Sequence, residues 1–342
     1  MRIAMYYSNK DVRIEDKLTP KIGPGEILMR VEASGICGSD VMEWYRIHKV
    51  PLVLGHEVSG VVAEIGEGVT RHRKGDRICA AHHVPCNVCH YCLSGHHTVC
   101  ETLRKTNFDP GGFAEYIRLP SINVDRGVFL LPDTVSFEDA TFIEPLACIL
   151  RGQRQAGLQP GQSVLVIGSG IAGLLHIQLA KALGAGRIIA TDISEYRMNA
   201  ALRFGADAVI NATDDVPSRV RELNDNRLVD VVILCAGATT AIEQGLKSVE
   251  RCGSVLFFAP TNKGVTIPFS INDTFWRNEI TLTSSYAGSP ADHATALELI
   301  RAKRVNVNDM ITHRLGLGDT GKGFQMVVDA QDSLKVIIEP QR

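Results

Sequence analysis

Residues 163–167, Ser-Val-Leu-Val-Ile, run straight into Gly168-Ser169-Gly170-Ile171-Ala172-Gly173, and a helix-compatible stretch then continues to residue 183. No other feature narrows the fold so far. An apolar run of this kind suits a strand buried on both faces, as in a parallel sheet covered by helices. Glycines at the turn let the backbone pass tightly from strand to helix and leave room for a pyrophosphate at the helix N-terminus. Strand-like segments recur at 187–191, 208–210, 228–234, 254–258 and 280–283, with helical stretches at 195–204, 216–223 and 240–250 between them. That alternation predicts a doubly wound α/β sheet of the Rossmann type. Asp192 stands 24 residues past Gly168, at the end of the second strand, where a carboxylate can accept hydrogen bonds from an adenosine ribose. The pairing favours NAD over NADP. Gly168, Gly170, Ile171, Ala172, Gly173, Asp192 and Arg197 are the expected cofactor contacts. The competing reading is a glycine turn that binds no dinucleotide, with Asp192 serving as a helix N-cap before Ile193-Ser194-Glu195.

The 342 residues are too many for one ordinary core and suit two domains. Before residue 150 the pattern is different: short β-type runs such as 27–31 and 57–65 are broken by Gly23-Pro24-Gly25, Gly66-Glu67-Gly68, Gly75-Asp76 and Asp109-Pro110-Gly111-Gly112. We expect residues 1–150 to form a β-rich domain and 151–286 the nucleotide domain. Residues 287–342, with an amphipathic helix at 292–302 and a strand at 335–338, should return to the first. A formal net charge of −2 offers no one-signed surface for nucleic acid or an anionic membrane, so the expected partner is a small molecule. Residues 1–6 lack the blocks of a secretion signal, and no apolar run reaches about 18 residues, so the cytoplasm is the expected location.

Four of the nine cysteines lie within 15 residues, as Cys86-x-x-Cys89-x-x-Cys92 followed by Cys100. Four thiolates can close a tetrahedral shell, which is the signature of a structural zinc in a lobe over 82–102. An iron–sulfur run would bring its fourth cysteine sooner and follow it with Pro, whereas Glu101 follows Cys100. With four thiols at hand, His82, His83, His90, His96 and His97 are expected mostly at the surface.

Cys37, His56 and the glutamates Glu57 and Glu144 offer a second donor set: a thiolate, an imidazole and a carboxylate that leave one zinc position open for chemistry. Taken singly, each has an ordinary reading as a buried thiol, a turn histidine or a solvated acid. Taken together, Gly35-Ile36-Cys37-Gly38-Ser39-Asp40, Gly55-His56-Glu57 with Gly60, Gly66 and Val69, Gly75-Asp76-Arg77, the cysteine lobe and the glycine motif occur in an order that resembles the zinc-dependent medium-chain alcohol dehydrogenase/reductase family over nearly the whole chain. Cys-Gly-Ser-Asp and Phe142-Ile143-Glu144-Pro145 look most like its sorbitol (polyol) and threonine dehydrogenase branch.

The resemblance implies a GroES-like catalytic domain beside the Rossmann domain, and two zinc ions per chain. It implies Cys37 and His56 as catalytic-zinc ligands, with Glu57 and Glu144 sharing the remaining duty as direct or water-bridged ligands. Ser39 would hydrogen-bond the substrate oxygen or a zinc-bound water. Relatives commonly carry His where this chain has Met42, so the proton exit is left open among Ser39 with the nicotinamide ribose, Glu57 and His48. The implied reaction passes hydride from a secondary alcohol to NAD held in an interdomain cleft, giving a ketone. Polyols, sugar acids, phosphorylated polyols and threonine are open as substrates, and carbonyl reduction as the direction. Trp44, Tyr45, Arg46, His48, Lys49, Phe113 and Arg277 are candidates for the pocket. The strand at 280–283 is a candidate dimer or tetramer contact, as in the branch relatives. A non-catalytic nucleotide-binding protein is the rival class, and loss of Cys37 or His56 would be its mark.

Overall fold

A computed structural model describes all 342 residues. The chain divides into two compact units, one of Met1–Ala147, Ala287–Lys303 and Val307–Arg342, the other of Cys148–Tyr286 with Arg304–Asn306. The three-residue excursion into the second unit is held by Gln178, whose side chain bonds Asn306 through both backbone N–H (2.7 Å) and carbonyl (3.1 Å).

In the first unit, the strand Ile27–Gly35 lies at the centre of a seven-stranded sheet. It pairs antiparallel with Glu57–Ile65, with Tyr116–Leu119 and with the late strand Lys335–Glu339. Register does the positioning work: Gly35 lies opposite both Glu57 and Ile337. A smaller sheet of Arg2–Ser8, Asp11–Asp16 and Leu52–Val53 packs its apolar residues, among them Ile3 and Tyr6, into the same core as Met29, Phe113 and Phe324.

This unit holds more helix than its glycine-broken sequence suggests, including Ser121–Arg126, the first turn of Ile143–Gln155 and Thr320–Asp329. The last was not foreseen. Gly321 and Gly323 lower its intrinsic helix propensity, but Phe324 is fully buried and packs on Tyr6 and Phe113. The strand Ile311–Gly316 was also missed, and it pairs parallel with Lys335–Glu339. The foreseen amphipathic helix runs Pro290–Arg301, with a capping box from Ser289 and Asp292.

The second unit is a six-stranded parallel sheet in the order Ala208–Asn211, Arg187–Asp192, Ser163–Ile167, Val229–Leu234, Val249–Phe257, Thr281–Ser284. It is the doubly wound arrangement expected. Strand order reverses beside Ser163–Ile167, and the glycine turn follows that strand, at the crevice where ligands bind in such sheets. The helix expected at 240–250 stops at Ser248, because Val249 already pairs with Val229 before a bulge around Cys252.

Candidate active site

Because Gly35 faces Glu57 across the sheet, Cys37, two residues beyond the first strand, comes beside His56, one residue before the second. Gly55 makes this possible: its φ is +93°, and a Cβ there would stand 2.8 Å from the Phe113 nitrogen. Donor atoms of Cys37, His56 and Glu57 all lie within 4.8 Å of one another. Glu144, in the first turn of Ile143–Gln155, is not in that group.

Asp40 holds the arrangement from below. Its Oδ2 accepts from the Cys37 N–H (3.0 Å), and its Oδ1 lies 3.4 Å from His56 Nδ1 and 3.6 Å from Arg46 Nη2. Burial opposes the Asp40 charge, yet His56 and Arg46 beside it still hold its carboxyl below the ordinary range. With Nδ1 turned to a carboxylate, the His56 Nε2 is left for a metal, the usual division of labour in a carboxylate–histidine–metal relay. Ser39 lies on the same turn; its N–H points to Cys37 Sγ (3.4 Å), and its carbonyl and hydroxyl oxygens accept from Arg46.

Two further residues, Lys335 and His82, belong to this neighbourhood. Lys335, 299 positions beyond Ile36, is almost wholly buried and ion-paired with Glu57, and its ammonium also reaches the Ile36 carbonyl at 3.4 Å. Nothing local announces it; only the pairing of Lys335–Glu339 with the central strand brings it there. His82, at the end of the strand Arg77–Ala81, puts its ring 4.8 Å from that of His56. It was expected at the surface. Instead His82 and His83 are half-buried; burial, with His83 and His56 beside it, pushes His82 well below the ordinary histidine value, and burial takes His83 down to about 4. His97 is also half-buried, while His90 and His96 are exposed.

Among the pocket candidates, Phe113 is core, 1% exposed, and Arg277 lies in the second unit over its neighbour Trp276. Trp44, Tyr45, His48 and Lys49 are exposed beside Ser39's turn, and Arg46 is half-buried. Met42 occupies the position at which the family resemblance implies a histidine, and its thioether can carry no proton.

The four-cysteine lobe forms a separate cluster. Its sulfurs lie 3.6 Å apart for Cys89–Cys92 and Cys86–Cys100, and 4.0 Å for Cys86–Cys92. A tetrahedral ion with metal–sulfur bonds of about 2.3 Å would set these edges near 3.8 Å. Against burial, the N–H groups of Cys86 and Leu103 draw the Cys100 thiol down to about 6, so the protein already favours a thiolate there. None of the nine cysteines is in a disulfide.

In the second unit the three glycines answer three demands. Gly168 adopts φ +94°; a Cβ on Gly173 would run into the Gly168 carbonyl; Gly170 faces open space. Gly170 is also the N-cap of the helix Ile171–Ala182 and gives it no side-chain cap, so its first N–H groups are left to a ligand. Asp192 is the last residue of its strand, and its oxygens accept from the N–H groups of Ser169 (2.8 Å) and Ser194 (2.9 Å). The N-cap of the next helix is Ser194, not Asp192. Arg197 is half-buried one turn on, with its Nε unpartnered.

Two family models match the chain: an alcohol dehydrogenase GroES-like domain over residues 23–133 and a zinc-binding dehydrogenase over residues 172–302. The chain belongs to the zinc-binding alcohol dehydrogenases. Among its relatives, the Neosartorya fischeri protein named "Probable D-xylulose reductase A" is 33% identical over 96% of this chain and 93% of its own length. Sorbitol dehydrogenase of Bacillus subtilis is 30% identical over 100% of this chain and 98% of its own. The crystal structure of galactitol-1-phosphate dehydrogenase from Escherichia coli superposes with a TM-score of 0.85 at 28% identity, covering 99% of this chain and 100% of that one. This dehydrogenase is therefore an oxidoreductase, which sets aside the non-catalytic rival; and no helix in it is long and apolar enough to cross a membrane.

Proposed function

We propose that this dehydrogenase interconverts a secondary alcohol of a polyol or related small hydroxylated compound with the ketone, using NAD, and that Cys37, His56 and Glu57 hold its catalytic zinc. The observation that carries the reading is the convergence of one sulfur, one ring nitrogen and one carboxylate oxygen within 4.8 Å. Such a set has too few donors to close a tetrahedral shell, which distinguishes it from the four-thiol lobe. The names of the relatives, a sorbitol dehydrogenase and a xylulose reductase, support a polyol as the substrate and both directions as chemically accessible.

Zinc, when bound, supplies Lewis-acid polarisation of the substrate oxygen, and NAD supplies the hydride acceptor. The chain's own residues do the rest. Asp40 fixes the tautomer and orientation of His56. Because Arg46 donates to Ser39 Oγ, the serine is free to turn its own O–H toward the substrate oxygen. Glu57 is held in place by its buried ion pair with Lys335, and Glu144 is assigned a water-bridged part in the same site. Met42 offers no proton carrier at its position, so the groups of this chain that could take the proton on are Ser39, Glu57 and His48.

Cys86, Cys89, Cys92 and Cys100 are assigned the second, structural zinc. Gly168, Gly170, Ile171, Ala172 and Gly173 are assigned the pyrophosphate, Asp192 the ribose hydroxyls and Arg197 the adenosine ribose side. A buried carboxylate at Asp192 disfavours a 2′-phosphate, which supports NAD over NADP. Nine free thiols suit a reducing cytoplasm. The exposed edge strand Thr281–Ser284, with Phe269, Ile271, Trp276 and Tyr286 exposed near it, suits a homodimer or homotetramer contact.

The test is a metal count joined to a substrate screen. Two zinc per chain, NAD reduction by at least one polyol, and a higher kcat/KM with NAD than with NADP are expected. One zinc per chain, or no turnover across hexitols, pentitols, sugar acids and their phosphates, would overturn the proposal.

A further inference from the structure

We infer that Arg46 selects a substrate carrying a carboxylate or phosphate group in addition to the hydroxyl that reacts. The inference rests on the proposed function only in taking Ser39 as the place where the reacting oxygen sits.

The geometry of the guanidinium carries it. Arg46 Nε donates to the Ser39 carbonyl (3.0 Å) and Nη2 to the Ser39 hydroxyl (3.3 Å), so one edge of the planar fork is committed to the turn between Cys37 and Asp40. Asp40 Oδ1, 3.6 Å from Nη2, is shared with His56 and is wholly buried. Nη1 and the outer N–H of Nη2 have no acceptor in the protein. Yet the side chain is only 14% exposed. A guanidinium braced along one edge, mostly enclosed and with its remaining donors turned to solvent rather than to the protein, presents at its free end two parallel N–H groups that match a carboxylate or phosphate.

A second cation lies beside it. Lys49 Nζ stands 4.1 Å from the Tyr45 ring centre and Arg46 Cζ 4.8 Å from the same ring, so one exposed aromatic holds both side chains. Lys49 has no acid partner, and the nearby Glu43 is turned away to accept from the Asn9 N–H. A polyol needs neither charge: neutral hydroxyls would be served by the hydroxyl, amide and carbonyl groups of the turn. A substrate whose reacting oxygen meets Ser39 passes its neighbouring carbons by the free end of Arg46, and an anionic group there would be held in two places.

The experiment measures equilibrium binding to the zinc-loaded enzyme–NADH complex, read by NADH fluorescence, for three matched ligands: D-glucitol, D-glucitol 6-phosphate and D-gluconate. At least one anionic ligand is expected to bind tenfold or more tighter than glucitol, and which one does so separates phosphate from carboxylate. Arg46→Met should bring that ligand to within about threefold of glucitol, Arg46→Lys should recover part of the difference because it keeps the charge without the fork, and Lys49→Met, at an exposed position, should cost two- to threefold for the anion alone. Equal affinities in the unmodified enzyme, binding of none of the three, or an Arg46→Met variant that weakens all three alike would overturn the inference; the last would leave Arg46 as a brace for Ser39 only. The proposed function fails separately. Oxidation of glucitol without an anion preference sinks this inference and spares the polyol reading, whereas Arg46-dependent anion binding with no alcohol oxidised by NAD does the reverse.

Discussion

The first unit carries two clusters of side chains that could hold a metal ion, and they are built in opposite ways. Cys86, Cys89, Cys92 and Cys100 come from one 15-residue loop, use four identical donors, and close a shell by themselves. Cys37, His56 and Glu57 come from the ends of two paired strands, use three kinds of donor, and leave a vertex unfilled. A closed shell can only hold chain together; an open one can accept a substrate oxygen. On the proposed assignment, spacing along the chain marks the structural site, whereas sheet register makes the catalytic one.

The largest expected effect tests the closed cluster. Structural zinc contributes on the order of 10 kcal/mol to ordering such a loop, so Cys92→Ser should cost on the order of 5 kcal/mol of stability. Melting by circular dichroism should fall sharply with loss of one zinc, while the fraction still folded at low temperature keeps its kcat. A stable but inactive Cys92→Ser protein would exchange the roles of the two clusters.

Cys37→Ser should do the opposite. Turnover is expected to fall by more than about a thousandfold, roughly 4 kcal/mol of barrier, with one zinc lost, NAD binding kept and the melting temperature little changed. Activity retained within tenfold would remove Cys37 from the site.

How legible each cluster was in the sequence follows from the same contrast. The cysteine lobe needs no fold to be seen, and the nucleotide sheet was readable because its strands are apolar on both faces and its turn glycines sit next to them. Cys37, His56 and Glu57 were readable only as a set, through a resemblance, because nothing in the 21 intervening residues says that Gly35 will face Glu57. Lys335 was not readable at all: a lysine in an apolar run looks like an edge residue, and its burial depends on a strand returning from the far end of the chain. His82 was misjudged for the same reason, since a histidine next to a cysteine lobe looks like solvent-facing loop until the strand Arg77–Ala81 is laid beside Glu57–Ile65.

Lys335 supplies the next test, because only the open cluster depends on so distant a residue. Lys335→Met keeps most of the length of the side chain and removes its charge, leaving Glu57 buried without its cation. A loss of about 3 kcal/mol in urea midpoint analysis is expected in zinc-depleted protein. Zinc should restore part of it, since the ion gives Glu57 a second cation. An equal loss with and without zinc would mean that Glu57 does not face the metal, and would pass its duty to Glu144.

The smallest effect guards the comparison against a confusion. Acid empties both clusters, by protonating thiolates and His56, so a fall in stability at low pH invites a metal explanation. His176, in the second unit, offers one that involves no metal. It is wholly buried, its ring meets Phe258 edge-on at 4.7 Å, its Nε2 has no partner, and burial lowers its pKa to about 3. Between about 3 and the ordinary histidine value near 6.5, the unfolded chain binds a proton that the folded chain refuses. Stability contributed by the neutral ring is therefore complete above pH 6.5 and is lost as pH falls through that window, with a slope of at most about 1.4 kcal/mol per pH unit. His176→Gln keeps a polar side chain but cannot titrate, so its urea midpoint should fall less steeply than the unmodified protein's between pH 6.5 and 4.5, in zinc-loaded and zinc-depleted protein alike. If the two proteins fell in parallel, the acid sensitivity would belong to the metal clusters, and the contrast between them could be read directly from the pH at which each zinc departs.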